Sequence, residues 1–167
     1  MINSFIIELG HISLISALVL SIFQFSMVFI KIDKKYSFIP IIPKLVFFTT
    51  AFSFFVLVLS FILSDFSLDL VSKFSHTSKP LIYKISGAWA NHEGSLLLWI
   101  LILVSFGTVT SNLNLSNKFH SFLSSTQGLL NTLFLSLCLF TSNPFNRSDV
   151  IPPDGLGLNP VLQDLLL

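Results

Sequence analysis

The segment Ser86-Gly-Ala-Trp-Ala-Asn-His-Glu-Gly-Ser-Leu-Leu-Leu-Trp99 holds the residues best suited to chemistry in this 167-residue chain. Both tryptophans of the protein, Trp89 and Trp99, lie within it, and Asn91, His92 and Glu93 stand between them at the entrance of an apolar run. A helix beginning near Ala88 would set Trp89, His92, Leu96 and Trp99 at intervals of three, four and three residues, on one face. Trp89 and Glu93 would then be one turn apart. Such a face combines flat aromatic surface with an imidazole and a carboxylate, which suits a macrocycle with an apolar body and polar edge groups, such as haem. The same residues also fit a plainer reading, in which Trp belongs to an interfacial belt and His92 and Glu93 fix a loop by hydrogen bonding.

The other reactive residue types are scattered. Glu8 and His11 sit a turn apart ahead of the first apolar run, where a structural pair is the simpler reading. His76 and His120 read as loop histidines. The single cysteine, Cys138, lies inside an apolar run and reads as a small buried hydrophobe. There is no CxxC, CxxCH or Cys/His zinc spacing, no nucleophile–base pair and no phosphate loop, so no catalytic residue and no metal site is assigned. A net charge of +1 gives no reason to expect a nucleic-acid partner.

Composition specifies the scaffold. Apolar residues make up 53% of the chain, charged residues 10%, and the mean hydropathy is +0.85, whereas soluble domains carry roughly 25% charge. So few charges cannot cover a globule, and the solvent must be largely lipid. Four stretches have spanning length: residues 12–30, 45–63, 94–113 and 122–141, the last the weakest because Gln127 and Asn131 interrupt it. Those two amides are expected to face neighbouring helices. The reading is therefore an all-α integral membrane protein, with residues 1–141 as a four-helix membrane domain. Within the connection 64–90, the FSLDLVSKF portion, residues 66–74, alternates enough to lie at an interface, as a short amphipathic helix or as extended chain. A polar turn is expected over residues 114–121. Residues 142–167, rich in Pro, Gly, Asn and Asp, read as an ordered external loop with tight turns.

The N-terminus does not read as a cleavable signal, since Glu8 and His11 precede the apolar stretch and no Lys or Arg does. Lys31, Lys34, Lys35, Lys44 and Lys118 would share one side of the membrane, against Lys73, Lys79, Lys84 and Arg147 on the other. The cluster directly after the first span sets the orientation: 31–44 inside, both termini and the 64–93 connection outside.

Two long segments are similar to a known family. WANHEGSLLLW, residues 89–99, resembles the WxxHEGS-LLLW signature of the CcmF family. SNPFNRSDVIPPDGLGLNPVLQD, residues 142–164, resembles that family's later SNPF…P.DG..LNP.LQD stretch, at a fitting distance downstream. The opening IIELGHISLISALVLSIFQF, residues 6–25, is similar to the family's first helix. The resemblance runs in order through the chain and corresponds to the N-terminal third or so of such proteins.

The resemblance implies a polytopic protein that accepts haem from the chaperone CcmE on the outer face. With a CcmH-type subunit, it delivers that haem to the CxxCH cysteines of apocytochrome c. The implied cofactor is haem, and the implied location is an inner membrane, bacterial or mitochondrial. In the family, the LQD stretch leads to a His-Pro-Pro segment with a haem-ligating histidine, and then to a Trp-rich loop. Here the residues are Leu162-Gln-Asp-Leu-Leu-Leu167, so none of the family's haem ligands can be carried onto a histidine of this chain. The missing C-terminal part of CcmF is accordingly expected on a second polypeptide, with a truncated product as the alternative. Trp89, His92, Glu93 and Trp99 are the candidates for facing haem or a partner. A small accessory subunit of a respiratory complex and a fragment of a transporter are the alternatives.

Overall fold

A segment crossing lipid must satisfy its backbone polar groups internally, so apolar runs of this length fold as helices. In the computed structural model of the chain, the described residues are 2–27, 41–113, 116–148 and 150–156, with only the backbone described for 2, 3, 117 and 118. They form six helices: α1 Ile2–Ser26, α2 Ile41–Ile62, α3 Asp69–Phe74, α4 Leu81–Gly87, α5 His92–Ser111 and α6 Asn117–Phe140. Among them α1, α2, α5 and α6 are long and apolar enough to cross a membrane, and α6 is the least apolar of the four. The Lys31–Lys35 cluster, the end of the first apolar run at 28–30 and the LNP and LQD stretches lie outside the described residues.

The four long helices form a ring in the order α1, α2, α5, α6, each packed on its two neighbours. Each neighbouring pair is antiparallel. Gly10 and Ser13 of α1 meet Val56 and Thr49 of α2, while Gln24 meets Ser124 of α6 and His11 lies beside Asn143, just past α6. The first helical turn of α1, the 63–91 connection and residues 141–156 consequently gather at one end, called the motif end below.

Lipid tails are as apolar as leucine, so close packing and hydrogen bonds between helices, each worth about 0.6–2 kcal/mol, hold such a bundle together. Leu14, Ala17, Val46, Leu57, Leu97 and Leu135 are sealed inside it. Gln24 Nε2 donates to Ser124 O at 2.9 Å, and Gln127 Nε2 donates to Leu103 O at 2.9 Å and to Asn131 Oδ1 at 3.1 Å. Gln127 thus faces α5, while Asn131 is buried and pairs with Gln127 on its own helix. Gly128 lies directly against the α1 backbone at Gln24 and Phe25. Cys138 is buried, as its apolar setting suggests.

Two boundaries differ from the hydropathy reading. Helix α1 begins at Ile2 and not near residue 12. Glu8 and His11, which seemed to close the apolar run, lie within the helix because Arg147 and Asn143 partner them. They do not pair with each other. Helix α6 begins at Asn117, so His120 is a helical residue, its Nε2 3.3 Å from Ser111 O, and not part of a polar turn. At the end of α2, Asp65 N–H reaches back to Ser60 O at 3.0 Å, while Ser64 takes the left-handed conformation (φ 54°) that commonly closes a helix. In the portion 66–74 the helical option holds over Asp69–Phe74, and a turn closed by Lys79 N–H to His76 O leads on to the second short helix, α4.

Candidate functional site

The motif segment divides into residues that build a turn and residues that the turn displays. Helix α5 starts at His92, four residues later than a start at Ala88, because Asn91 caps it. The Asn91 Oδ1 accepts from Gly94 N–H at 2.7 Å, and its Nδ2 donates to Gly87 O at 2.8 Å. Ser95 Oγ donates to Trp89 O at 2.5 Å, holding the preceding chain against the first turn. Gly94 is obligatory here: a Cβ at that position would overlap the carbonyl of Ala88.

This cap changes the geometry of the candidate residues. Trp89 lies before the helix, so it shares no helical face with His92 and Trp99, and it is not one turn from Glu93. Its ring stacks on Phe54 of α2, with centroids 6.5 Å apart and planes 28° from parallel. His92 points to the other side, its Nε2 3.1 Å from Ser142 Oγ just past α6. Glu93 lies in the first turn of α5, where the helix dipole favours negative charge. Its carboxylate makes no hydrogen bond or ion pair with another described residue. Trp99, 71% exposed, sits farther along α5 on the outer surface of the bundle. The structure thus brings Trp89, His92 and Glu93 to one end of the molecule but not into one pocket.

The second motif segment, 142–156, clips that end together. Ser142 contacts His92. Asn143 Nδ2 lies 3.2 Å from His11 Nε2, and its Oδ1 accepts from Phe145 N–H at 3.0 Å. Phe145 is buried, with its ring stacked on His11 and a ring edge over Gly10. Asn146 O accepts from Asp69 N–H and Ser148 N–H donates to Ser67 O, each at 3.0 Å, making an isolated antiparallel bridge between Leu68 and Arg147. The Arg147 guanidinium donates to Ser67 Oγ at 2.8 Å and pairs with Glu8 at 2.6 Å. Farther along, Leu156 N–H donates to Ser72 O, and Gly155 lies against Ser75 O so closely that a Cβ would overlap it.

Apart from Glu93, the charged groups discussed at this end have local partners. Lys73 is held above the usual lysine range chiefly by its hydrogen bond to Asp69 Oδ2 at 2.6 Å; burial opposes this, and the Asp69 and Glu93 charges add to it. Burial pushes Lys79 below that range. The hydroxyl and amide of Thr77 hold the Asp154 carboxyl below the usual carboxylate range, against a desolvation penalty, with smaller help from Gly155 N–H and nearby His76. A lowered folded-state pKa means this contact contributes fully above the unfolded carboxylate value, about 3.9, and is lost as pH falls through the lower folded value. Protection of the Thr77 amide from hydrogen exchange should therefore hold down to about pH 4 and decline below it, and Asp154→Asn should remove that pH dependence. A profile unchanged by Asp154→Asn would assign the protection elsewhere.

Haem iron needs positioned axial ligands, and the four imidazoles do not supply a converging set. His11 is tied to Asn143, His76 to Ser78 and Asp154, His92 to Ser142 and His120 to Ser111 O. Among the described residues, no three His, Cys, Asp or Glu side chains cluster as a metal site. The four histidines therefore do not form an axial pair with one another within this chain.

Sequence reasoning missed the builders of the site. Asn91 carried a legible sign, an Asn immediately before an apolar run. The roles of Ser142, Asn143, Phe145 and Arg147 carried none, because their partners lie far away in the chain.

No protein-family model matches the chain. It is 40% identical over 165 residues to the cytochrome c-type biogenesis protein ccl1 of Rhodobacter capsulatus, covering 95% of this chain and 25% of that protein. It is 43% identical over 166 residues to the cytochrome c-type biogenesis protein CycK of Rhizobium meliloti, covering 96% of this chain and 25% of that one. The chain spans about a quarter of the length of these relatives. A solved structure described as cytochrome c heme lyase CcmF shares the fold, with a TM-score of 0.75 over 84% of this chain and 25% of that chain, at 21% identity.

Proposed function

Proceeding from the fact that this chain belongs to the CcmF family of cytochrome c-type biogenesis proteins, we propose that it takes part in the transfer and covalent attachment of haem to apocytochrome c. It is a multi-pass inner-membrane protein, as its four apolar spans and bacterial relatives require. Its proposed working partners are the remaining family sequence, a CcmH-type subunit, the haem chaperone CcmE and apocytochrome c. The proposed orientation puts the motif end on the outer, periplasmic face.

One observation carries this reading. The two segments most similar to the family, fifty residues apart, meet at the His92–Ser142 contact and leave Trp89 and Glu93 displayed at the same end. Within the complete machine, the proposed role of this chain is to hold that end in shape. Trp89, His92 and Glu93 then contact a haem-bearing partner, and Trp99 contacts a neighbouring helix. No bond-making step is assigned to a residue of this chain.

The test is cytochrome c assembly in cells that express the chain together with the remaining family sequence. His92→Ala and Trp89→Ala should each lower covalently haem-bound cytochrome c severalfold while the membrane abundance of the chain stays normal. If Trp89 serves only as an interfacial anchor on Phe54, its abundance should fall and cytochrome c should merely follow. Stable variants with full assembly would defeat the proposed role of this face.

A further inference from the structure

Helix α4 presents an apolar surface that nothing in the bundle uses. Leu81, Ile82 and Tyr83, directly after Pro80, are all exposed, Ile82 at 71%. The helix lies against the last turns of α2, with Gly87 under the ring of Phe61 and Lys84 Nζ donating to Ser64 Oγ at 2.7 Å. Ser64 is where the left-handed turn ends the span of α2, so α4 sits at the depth where the apolar segment gives way to polar chain. Leu63, between the end of α2 and Ser64, is exposed as well.

We infer that α4 is an in-plane anchor that inserts Leu81, Ile82 and Tyr83 into the headgroup–acyl boundary of the bilayer, with Lys79 and Lys84 binding lipid phosphates. Three features name lipid as the occupant. The patch sits beside the end of α2, a helix long and apolar enough to cross a membrane. Tyr83 has the apolar body and polar tip that favour this depth. Two ammonium groups flank it, each engaged by one acceptor, Phe74 O for Lys79 and Ser64 Oγ for Lys84, and each with further protons free for phosphate oxygens. The anchor holds the 63–91 connection, and with it Trp89, at a fixed height above the hydrocarbon.

The test uses the full chain with Cys138→Ser, reconstituted into phosphatidylethanolamine–phosphatidylglycerol vesicles, with one nitroxide-labelled cysteine at a time. The Ile82→Cys and Tyr83→Cys labels should collide severalfold less with chelated nickel than the exposed Asn146→Cys label, and less with oxygen than Phe55→Cys in the outer face of α2. Nickel collision equal to that at Asn146 would put the patch in water and overturn the inference. Low nickel collision with oxygen collision below that at Asn146, instead of between the values at Asn146 and Phe55, would mean protein cover, by a second copy or a partner, and would overturn it equally. Combined Lys79→Gln and Lys84→Gln should raise nickel collision at Ile82 severalfold; no change would overturn the assigned phosphate contacts.

Discussion

Gly128→Leu is expected to prevent assembly of the four-helix ring. A Cβ at residue 128 would stand 2.5 Å from Phe25 N and 2.9 Å from Gln24 C, both backbone atoms of α1 that cannot turn aside. Helices α1 and α6 must then separate, and the Gln24 Nε2 bond to Ser124 O, buried at 2.9 Å, is lost with the packing around it. Overpacking alone costs about 1–3 kcal/mol, and an amide stripped of its partner inside a dry bundle adds about 1–3 kcal/mol. Even Gly128→Ala should destabilise more than Gly107→Ala. The Cβ of the latter meets the Gln127 side chain at 3.1 Å, and a flexible side chain can give way. Thermal unfolding of the purified variants in mild detergent measures the order. Equal midpoints for the two alanine variants would show that the α1–α6 approach is less tight than described.

The second large effect is expected at Gly94→Ala. The added methyl would overlap the Ala88 carbonyl, and Ala88 cannot retreat because the turn around it is tied at three points. Those are Asn91 to Gly94 N–H, Asn91 to Gly87 O and Ser95 to Trp89 O. Opening the turn forfeits these bonds at about 1 kcal/mol each, together with the cap of α5. Asn91→Ala, which removes two of the bonds without a clash, should cost about 1–2 kcal/mol. Near-ultraviolet circular dichroism reports the setting of Trp89, and cytochrome c assembly reports the displayed face. Gly94→Ala should change both more than His92→Ala does. A native dichroism spectrum for Gly94→Ala would refute the tight-turn account.

Comparing these residues shows which parts of the molecule its sequence could reveal. The four spans were legible because apolar runs of that length have no other way to satisfy their backbone in lipid. Where a span looked interrupted, at Glu8 and His11, the partners that make the interruption tolerable are Arg147 and Asn143, more than a hundred residues away. The segment around His92 was legible as a place of interest, but not its geometry. A helical wheel started at Ala88 aligned Trp89 with His92, whereas the Asn91 cap ends that alignment and sends the two side chains toward different neighbours. Spacing shows which residues share a face only once the first helical residue is known. Gly94 and Gly128 were unremarked in the sequence because a glycine inside an apolar run carries no mark of what presses against it.

The clip formed by residues 142–148 imposes an order on synthesis. Its bonds close over long stretches of chain: Arg147 reaches Glu8 across 139 positions, and Asn143 reaches His11 across 132. A nascent chain threads α1 into the bilayer long before either partner exists. During that interval the Glu8 carboxylate and the His11 imidazole must stay hydrated at the membrane surface, and Ser67 and Asp69 wait unbridged. Only when α6 has been released does the chain that follows it draw α1, the 63–91 connection and α5 together in one late step. A chain released after residue 141 would thus carry four spanning helices whose shared end stays open.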